Sequence, residues 1–222
     1  MRRGFAGCRS DETARPLSLT QLGIFGDGRR TLVADETGTI YYIAGFADTA
    51  TATAWFEALR DGLVWQSERR WMYDRNVDVP RRVARYRLDD PQLPPPLAEI
   101  AAKAGDSTET RFNSVGLNLY RDGNDSVAPH NDHLYEIVAN HPIALVSLGA
   151  TRRMTIRSKA PARGKLRRVF DIDLEAGSLL VMSYQTQLHY DHGVPKAKGA
   201  VGPRISVALR VRPADAAKSK PR

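Results

Sequence analysis

The sequence predicts an α+β protein, in which an N-terminal α/β portion wraps onto a C-terminal antiparallel β core of sandwich or barrel type. Two textures predict it. From Arg111 onward the chain breaks into short β-like runs at close intervals, FNSVGLNLY, PIALVSLGA, RMTIRSK, LRRVFDIDL, GSLLVMSY and RISVALRVRP, with turn residues between them. Upstream, helical and strand periodicities alternate. A third observation is size: 222 residues, 42% of them hydrophobic and without an internal repeat, suffice for one substantial core. The expected layout is a flexible N-terminus over residues 1–25, one domain over 26–212 and a basic flexible tail over 213–222. Within the domain, 26–110 form the N-terminal portion and 111–212 the β core.

In chain order, strands are expected at Thr31–Ala34 and Thr39–Ile43, separated by the turn-like DETG. A helix follows, with Asp48 or Thr49 as N-cap and Ala52, Trp55, Phe56 and Leu59 as its apolar stripe. Residues 63–88 form a mixed region with seven arginines, two tryptophans and two tyrosines. Aromatics interleaved with arginine can stack a base and grip its phosphates, and they can equally pack an ordinary basic loop. After Leu93-Pro94-Pro95-Pro96 a short helix is expected from Leu97 to about Ala104, with Gly105 as its C′ residue.

The net charge is +8 and the pI about 9.8. Eight Lys or Arg and no acid lie between Arg152 and Arg168, the footprint of a phosphate-backbone contact or of a solvated basic hairpin. No run approaches a membrane span, and the N-terminus lacks a sustained apolar stretch of the exported kind. A single cysteine, Cys8, excludes an intramolecular disulfide and fits a reducing compartment. The expectation is a cytoplasmic monomer without a membrane partner.

The chemistry gathers in NSVGLNLYRDGNDSVAPHNDHLYE, residues 113–136. His130 and Asp132 are two apart, so on an extended segment both reach one side and one metal ion. Asn118 and Tyr120 repeat that relation upstream, with the turn RDGND between. The expectation is one hairpin that presents four polar side chains to one cavity. A third ligand from LHYDHGVP, His189 or His192, completes a two-His, one-carboxylate face with open positions, an arrangement suited to non-haem Fe(II) oxygenases. In PRISVALR, Arg204 and Arg210 are six apart and share one strand face, opposite Ile205, Val207 and Leu209. Two inward guanidiniums call for an anionic ligand, most simply a dicarboxylate.

NLYRDGNDSVAPHND, SLGATRRMTIR, GSLLVMSYQTQLHYDHGVPK and PRISVALR, in that order, closely resemble the AlkB family of Fe(II)- and 2-oxoglutarate-dependent nucleic acid dealkylases. VPRRVARY is similar to the family's P-R-x-x-x-x-Y segment near the nucleotide lid. The resemblance spans roughly residues 40–212. It implies a dioxygenase domain with a double-stranded β-helix (jelly-roll) core, its N-terminal helices and strands forming a nucleotide-recognition lid. It assigns iron to His130, Asp132 and His192, with His189 a near neighbour. It assigns 2-oxoglutarate to Asn118, Tyr120, Arg204, Arg210 and Ser206, the last standing where the family often has asparagine. Substrate contacts are expected at Tyr86, Arg81, Trp65, Met72, Arg152, Arg157, His133 and Glu136, with Trp71 and Tyr73 as further stacking candidates. Leu134 stands where repair members carry an acid that meets the cationic damaged base.

The activity implied is oxidative N-dealkylation of bases of the 1-methyladenine and 3-methylcytosine type in DNA or RNA. Fe(II), 2-oxoglutarate and O2 are consumed or cycled, and formaldehyde, succinate and CO2 released, with DNA alkylation repair as the setting. The alternatives are an oxygenase of this fold acting on protein or a small molecule, and a noncatalytic nucleic-acid-binding module.

Overall fold

The computed structural model describes residues 28–72, 74–159 and 166–214, with the side chains of 70–72 and 75–78 outside that description. The expected flexible N-terminus, Cys8, Tyr73 and most of the basic tail fall outside the described residues, as do the side chains of Trp71 and Met72.

β1 (Arg29–Asp35) and β2 (Gly38–Ile43) form a hairpin, each slightly longer than its predicted run. Asp35 closes the turn by accepting from the Thr37 N–H at 2.9 Å. α1 (Thr49–Gly62) is capped by Asp48, whose carboxylate accepts from the Thr51 N–H at 2.9 Å and its hydroxyl at 2.8 Å. Such a cap contributes about 1 kcal/mol. α1 buries Ala52, Trp55 and Leu59, three of the four expected stripe residues, and Phe56 packs half-buried beside them.

The basic region 63–88 is a β hairpin rather than a loop: β3 (Gln66–Met72) pairs with β4 (Arg75–Arg87). α2 runs over Pro95–Thr108, longer than predicted. Gly105 does not end it. The left-handed residue is Glu109, at φ 50°, whose N–H returns to the Gly105 carbonyl. A Cβ at Gly105 would stand 3.0 Å from the Thr110 carbonyl oxygen, so the glycine serves close packing inside the last turn. The Trp55 indole N–H donates to Glu99 at 2.7 Å and ties α1 to α2.

Then come β5 (Ser114–Tyr120), β6 (Val127–His130), a 3-10 turn (Leu134–Glu136), β7 (Ile143–Gly149), β8 (Arg152–Ser158), β9 (Val169–Leu174), β10 (Ser178–Met182), the one-turn α3 (Thr186–His189), β11 (Tyr190–Val194) and β12 (Arg204–Arg210). They build an eight-stranded sheet, ordered β1-β2-β10-β7-β12-β5-β4-β3, and a four-stranded sheet, ordered β6-β11-β8-β9. Every pairing is antiparallel. The result is a jelly-roll core with helices packed on the large sheet.

Strand alternation separates two cores. Val115, Leu117, Leu119, Val146, Leu148, Ile205, Val207 and Leu209 face α1 and α2, with Leu97 and Ile100 from α2. Tyr120, Leu145, Met154, Ile156, Tyr190 and Val194 fill the space toward the small sheet. The site takes its side chains from this second interior. No helix among the described residues is long and apolar enough to cross a membrane.

Candidate active site

β5 and β6 do not form the expected hairpin. β5 lies between β4 and β12 in the large sheet, while β6 pairs with β11 in the small one. The turn between them carries the chain from one sheet to the other, so Asn118 and Tyr120 stand on the large sheet while His130 stands on the small one and Asp132 just beyond it. Arg152 holds this crossing. Its guanidinium donates at 2.8 Å to the carbonyls of Asp122, Asp125 and Pro195, and the residue is 2% exposed. Arg152 is therefore a clamp inside the fold, not a nucleotide contact: its position on β8 shares the inner face with Met154 and Ile156.

His130 is the last residue of β6, and Asp132 lies beyond the strand rather than on it. His130 and His192 are direct cross-strand partners, with ring centroids 4.6 Å apart. Gly193 permits this approach, since a Cβ there would stand 3.0 Å from both the Pro129 nitrogen and the Val127 carbonyl oxygen. The His130 Nδ1 lies 2.9 Å from the Ala128 carbonyl. A carbonyl only accepts, so Nδ1 carries the proton and Nε2 keeps its lone pair for a metal. His192 is buried, and burial above all, with the neighbouring His130 ring and Arg210 acting in the same direction, lowers its pKa to about 4. It is thus neutral and able to ligate at physiological pH. His189 ends α3 and is exposed.

The Asp132 side chain is 13% exposed, and both of its oxygens accept from Arg210, Nε to Oδ2 and Nη2 to Oδ1, each at 2.9 Å. Burial alone would raise the carboxyl pKa, but the Arg210 charge and hydrogen bonds outweigh it and hold it below the ordinary range. Among the described residues no three His, Cys, Asp or Glu side chains form a ready-made metal cluster. The two imidazoles are paired and the carboxylate rests on Arg210. Each carboxylate oxygen keeps a second lone pair, so the donor set still fits a cation that prefers two imidazoles and one carboxylate.

Arg204 is fully buried on β12, its Nε donating to the Ser147 hydroxyl at 2.9 Å. Neither terminal nitrogen has a hydrogen-bond partner. The Tyr120 ring lies 5.3 Å from the guanidinium carbon, and the tyrosine favours the charged form of the arginine. Burial lowers the Arg204 pKa to about 10, which leaves it cationic at neutral pH. A buried cation with two unsatisfied donors is costly, and a carboxylate is the group that satisfies both at once. Asn118 accepts from Arg81 Nε at 2.7 Å, and Ser206, opposite Asn118 in the ladder, is buried on the same face as Arg204 and Arg210. Ser147 was not foreseen, since a lone serine in an apolar strand gives no signal until its cross-strand neighbour is known.

Other predicted contacts lie elsewhere. Tyr86 is two residues from Ala84 on β4 and packs with it against the helix-side core, facing away from the iron-ligand candidates. Trp65 packs on that same core and donates its indole N–H to the Arg60 carbonyl at 3.1 Å. Neither is set to stack a base in the interior. Glu136 is ion-paired with Arg212 at 3.0 Å, and Leu134 packs against the inter-sheet core. His133 is exposed and stacks on the exposed Tyr135, with centroids 5.2 Å apart. Arg157 is half-buried on β8 with its Nε unpartnered, on the strand face opposite Ile156.

The family model of the 2OG-Fe(II) oxygenase superfamily matches residues 39–210. DNA oxidative demethylase ALKBH2 of Homo sapiens is 38% identical over 120 residues, covering 52% of this chain and 46% of that protein. Alpha-ketoglutarate-dependent dioxygenase alkB homolog 3 of Bos taurus is 32% identical over 182 residues, covering 75% and 63%. The chain thus spans about half the length of the ALKBH2 relatives it matches. Among solved structures, the non-heme alpha ketoglutarate dependent epimerase SnoN from nogalamycin biosynthesis superposes with a TM-score of 0.53 at 15% identity, covering 80% of this chain and 82% of that one. That likeness shows the shared fold. Sequence match and fold agree with the paired imidazoles and with the buried arginine: the chain belongs to the 2OG-Fe(II) oxygenase superfamily, whose cofactors are Fe(II), 2-oxoglutarate and O2, and within it is similar to AlkB-type relatives.

Proposed function

We propose that this protein oxidatively removes N-alkyl groups from bases of the 1-methyladenine and 3-methylcytosine type in DNA or RNA, as an alkylation-repair activity. One observation carries the oxygenase part: Arg204, wholly buried, keeps two donors without partners beside Tyr120, on the strand face it shares with Arg210. That arrangement has a use when a small diacid enters. The nucleic-acid part draws support from the relatives named as DNA oxidative demethylases and from the +8 charge.

In this reading His130, Asp132 and His192 hold Fe(II), which with 2-oxoglutarate and O2 supplies the oxidising power. Arg204, Tyr120 and Asn118 seat the distal carboxylate of the co-substrate, with Ser206 beside them. Arg210 steadies Asp132 and lends its charge to the chelating carboxylate. Oxidation of the N-alkyl carbon gives a carbinolamine, which releases formaldehyde and the restored base. The reacting atom sits on a pairing edge, so the base is flipped out or taken from a single strand. The β3–β4 hairpin at the edge of the large sheet is the candidate nucleotide lid, with Arg81 at its base and Met72 near its tip. His133 and Arg157 are the remaining candidate nucleic-acid contacts.

Methylated oligonucleotides incubated with Fe(II) and 2-oxoglutarate test the reading. Formaldehyde and succinate released together, and only with alkylated strands, support it. Leu134 in the inter-sheet core and Glu136 spent on Arg212 favour a second reading, an oxygenase of this fold with another substrate. Succinate release indifferent to nucleic acid would select that second reading.

A further inference from the structure

Gln187 is 1% exposed on α3, the single turn that precedes β11. Its Oε1 accepts from the Asp132 backbone N–H at 3.0 Å. Its Nε2 donates to the Thr186 hydroxyl at 3.2 Å, and that hydroxyl donates to the Ser183 carbonyl at 2.6 Å. The amide has only one consistent orientation. The Asp132 N–H can only donate and so faces the amide oxygen, while the Ser183 carbonyl takes the Thr186 proton and leaves that hydroxyl to accept from Nε2. The Gln187 carbonyl also accepts from Lys159 Nζ at 2.7 Å, which fixes the turn from its other side.

Asp132 needs such a tether. β6 ends at His130, and the next two residues have no strand ladder. The carboxylate is held by Arg210, but a carboxylate bound at one end leaves its backbone free to shift. Arg210 also stands to share its charge with an incoming co-substrate. Gln187 grips the other end of the residue through a bond that no co-substrate carboxylate competes for. It sits five positions before His192, so the same short segment bears the distal imidazole and sets where the carboxylate stands.

We propose that Gln187 is a positioning residue that keeps Asp132 in register with His192, coupling the two arms of the metal site. This rests on reading His130, Asp132 and His192 as the metal ligands. Groups that orient ligands from outside the metal's contact sphere typically contribute about 10- to 100-fold in metal affinity.

The test is Co(II) binding to the metal-free full chain without 2-oxoglutarate, read by calorimetry and by the visible spectrum of the bound ion. Gln187→Met keeps length and removes the acceptor, and it should weaken Co(II) binding about 10-fold or more and alter the spectrum. Gln187→Glu keeps an oxygen acceptor at the same reach and should stay within about threefold of the parent. Thr186→Val, which removes the partner that orients the amide, should weaken binding in the same direction by less. Parent-like affinity and spectrum in Gln187→Met overturn the proposal, as does a Gln187→Glu as weak as Gln187→Met. Should Gln187→Met fail to fold, undiminished binding by Thr186→Val overturns it instead. An unmodified chain that takes up no Co(II), or an Asp132→Ala that takes it up equally well, defeats the metal-site reading itself, a distinct result.

Discussion

Replacing Arg204 with methionine separates a ligand-binding arginine from a structural one, because the two predict opposite signs. In the ligand-free protein the guanidinium is fully buried with both terminal nitrogens unpartnered. Methionine fills similar volume without a charge to desolvate, and it forfeits the Nε bond to Ser147, worth about 2 kcal/mol, and the contact with the Tyr120 ring. Ser147 keeps a partner in the Leu174 carbonyl at 3.3 Å. The desolvation relieved offsets or exceeds that loss, and the ligand-free Tm should hold or rise. Binding of 2-oxoglutarate should collapse. Two charge-assisted bonds to one carboxylate are worth about 3–4 kcal/mol together, or roughly 10²- to 10³-fold in Kd. Differential scanning fluorimetry with and without 2-oxoglutarate, alongside calorimetry, reads both quantities. A Tm several degrees lower with unchanged co-substrate affinity would make Arg204 a structural arginine instead.

Metal-free protein should lose stability as pH falls from about 6.5 toward about 4, because His192 has its folded pKa depressed and the unfolded chain binds the extra proton in that window. The loss is on the order of 3 kcal/mol, and chemical denaturation of His192→Gln should show a visibly flatter pH profile across the same range. Arg157→Ala should weaken oligonucleotide binding and reduce the salt slope by about one phosphate's worth, while succinate formation without substrate persists; fluorescence anisotropy against salt decides it. Trp65→Ala should lower Tm through lost packing on the helix-side core and leave the KM for oligonucleotide unchanged, so a large KM effect would return Trp65 to the substrate site.

The parts of the fold fixed by local chemistry were legible in the chain. Asp48 as a cap and the shared face of Arg204 and Arg210 follow from rules that involve only neighbours a few residues apart. What depends on pairing was not. Asn118, Tyr120, His130 and Asp132 read as one hairpin because RDGND is turn-like, yet that turn crosses between sheets, which no short-range rule reveals. Tyr86 carries the right residue type for stacking, but which side of β4 faces a cavity is set by register with β5, and Trp65 lies just before β3 and packs on the helix-side core. Arg152 resembles its basic neighbours until its position on the inner face of β8 turns it into a clamp. Gln187 and Ser147 carried no signal, because a neutral polar side chain matters only through a partner 55 or 57 residues away in sequence.

Anaerobic equilibrium binding of Fe(II) and 2-oxoglutarate to the purified chain shows whether distant side chains converge on one ion and one diacid. One Fe(II) per chain and metal-dependent tightening of 2-oxoglutarate binding are expected. Both should be lost in Asp132→Ala, with only the diacid lost in Arg204→Met. Binding of 2-oxoglutarate that ignores the metal, or iron uptake that survives removal of Asp132 and His192 together, would contradict that convergence.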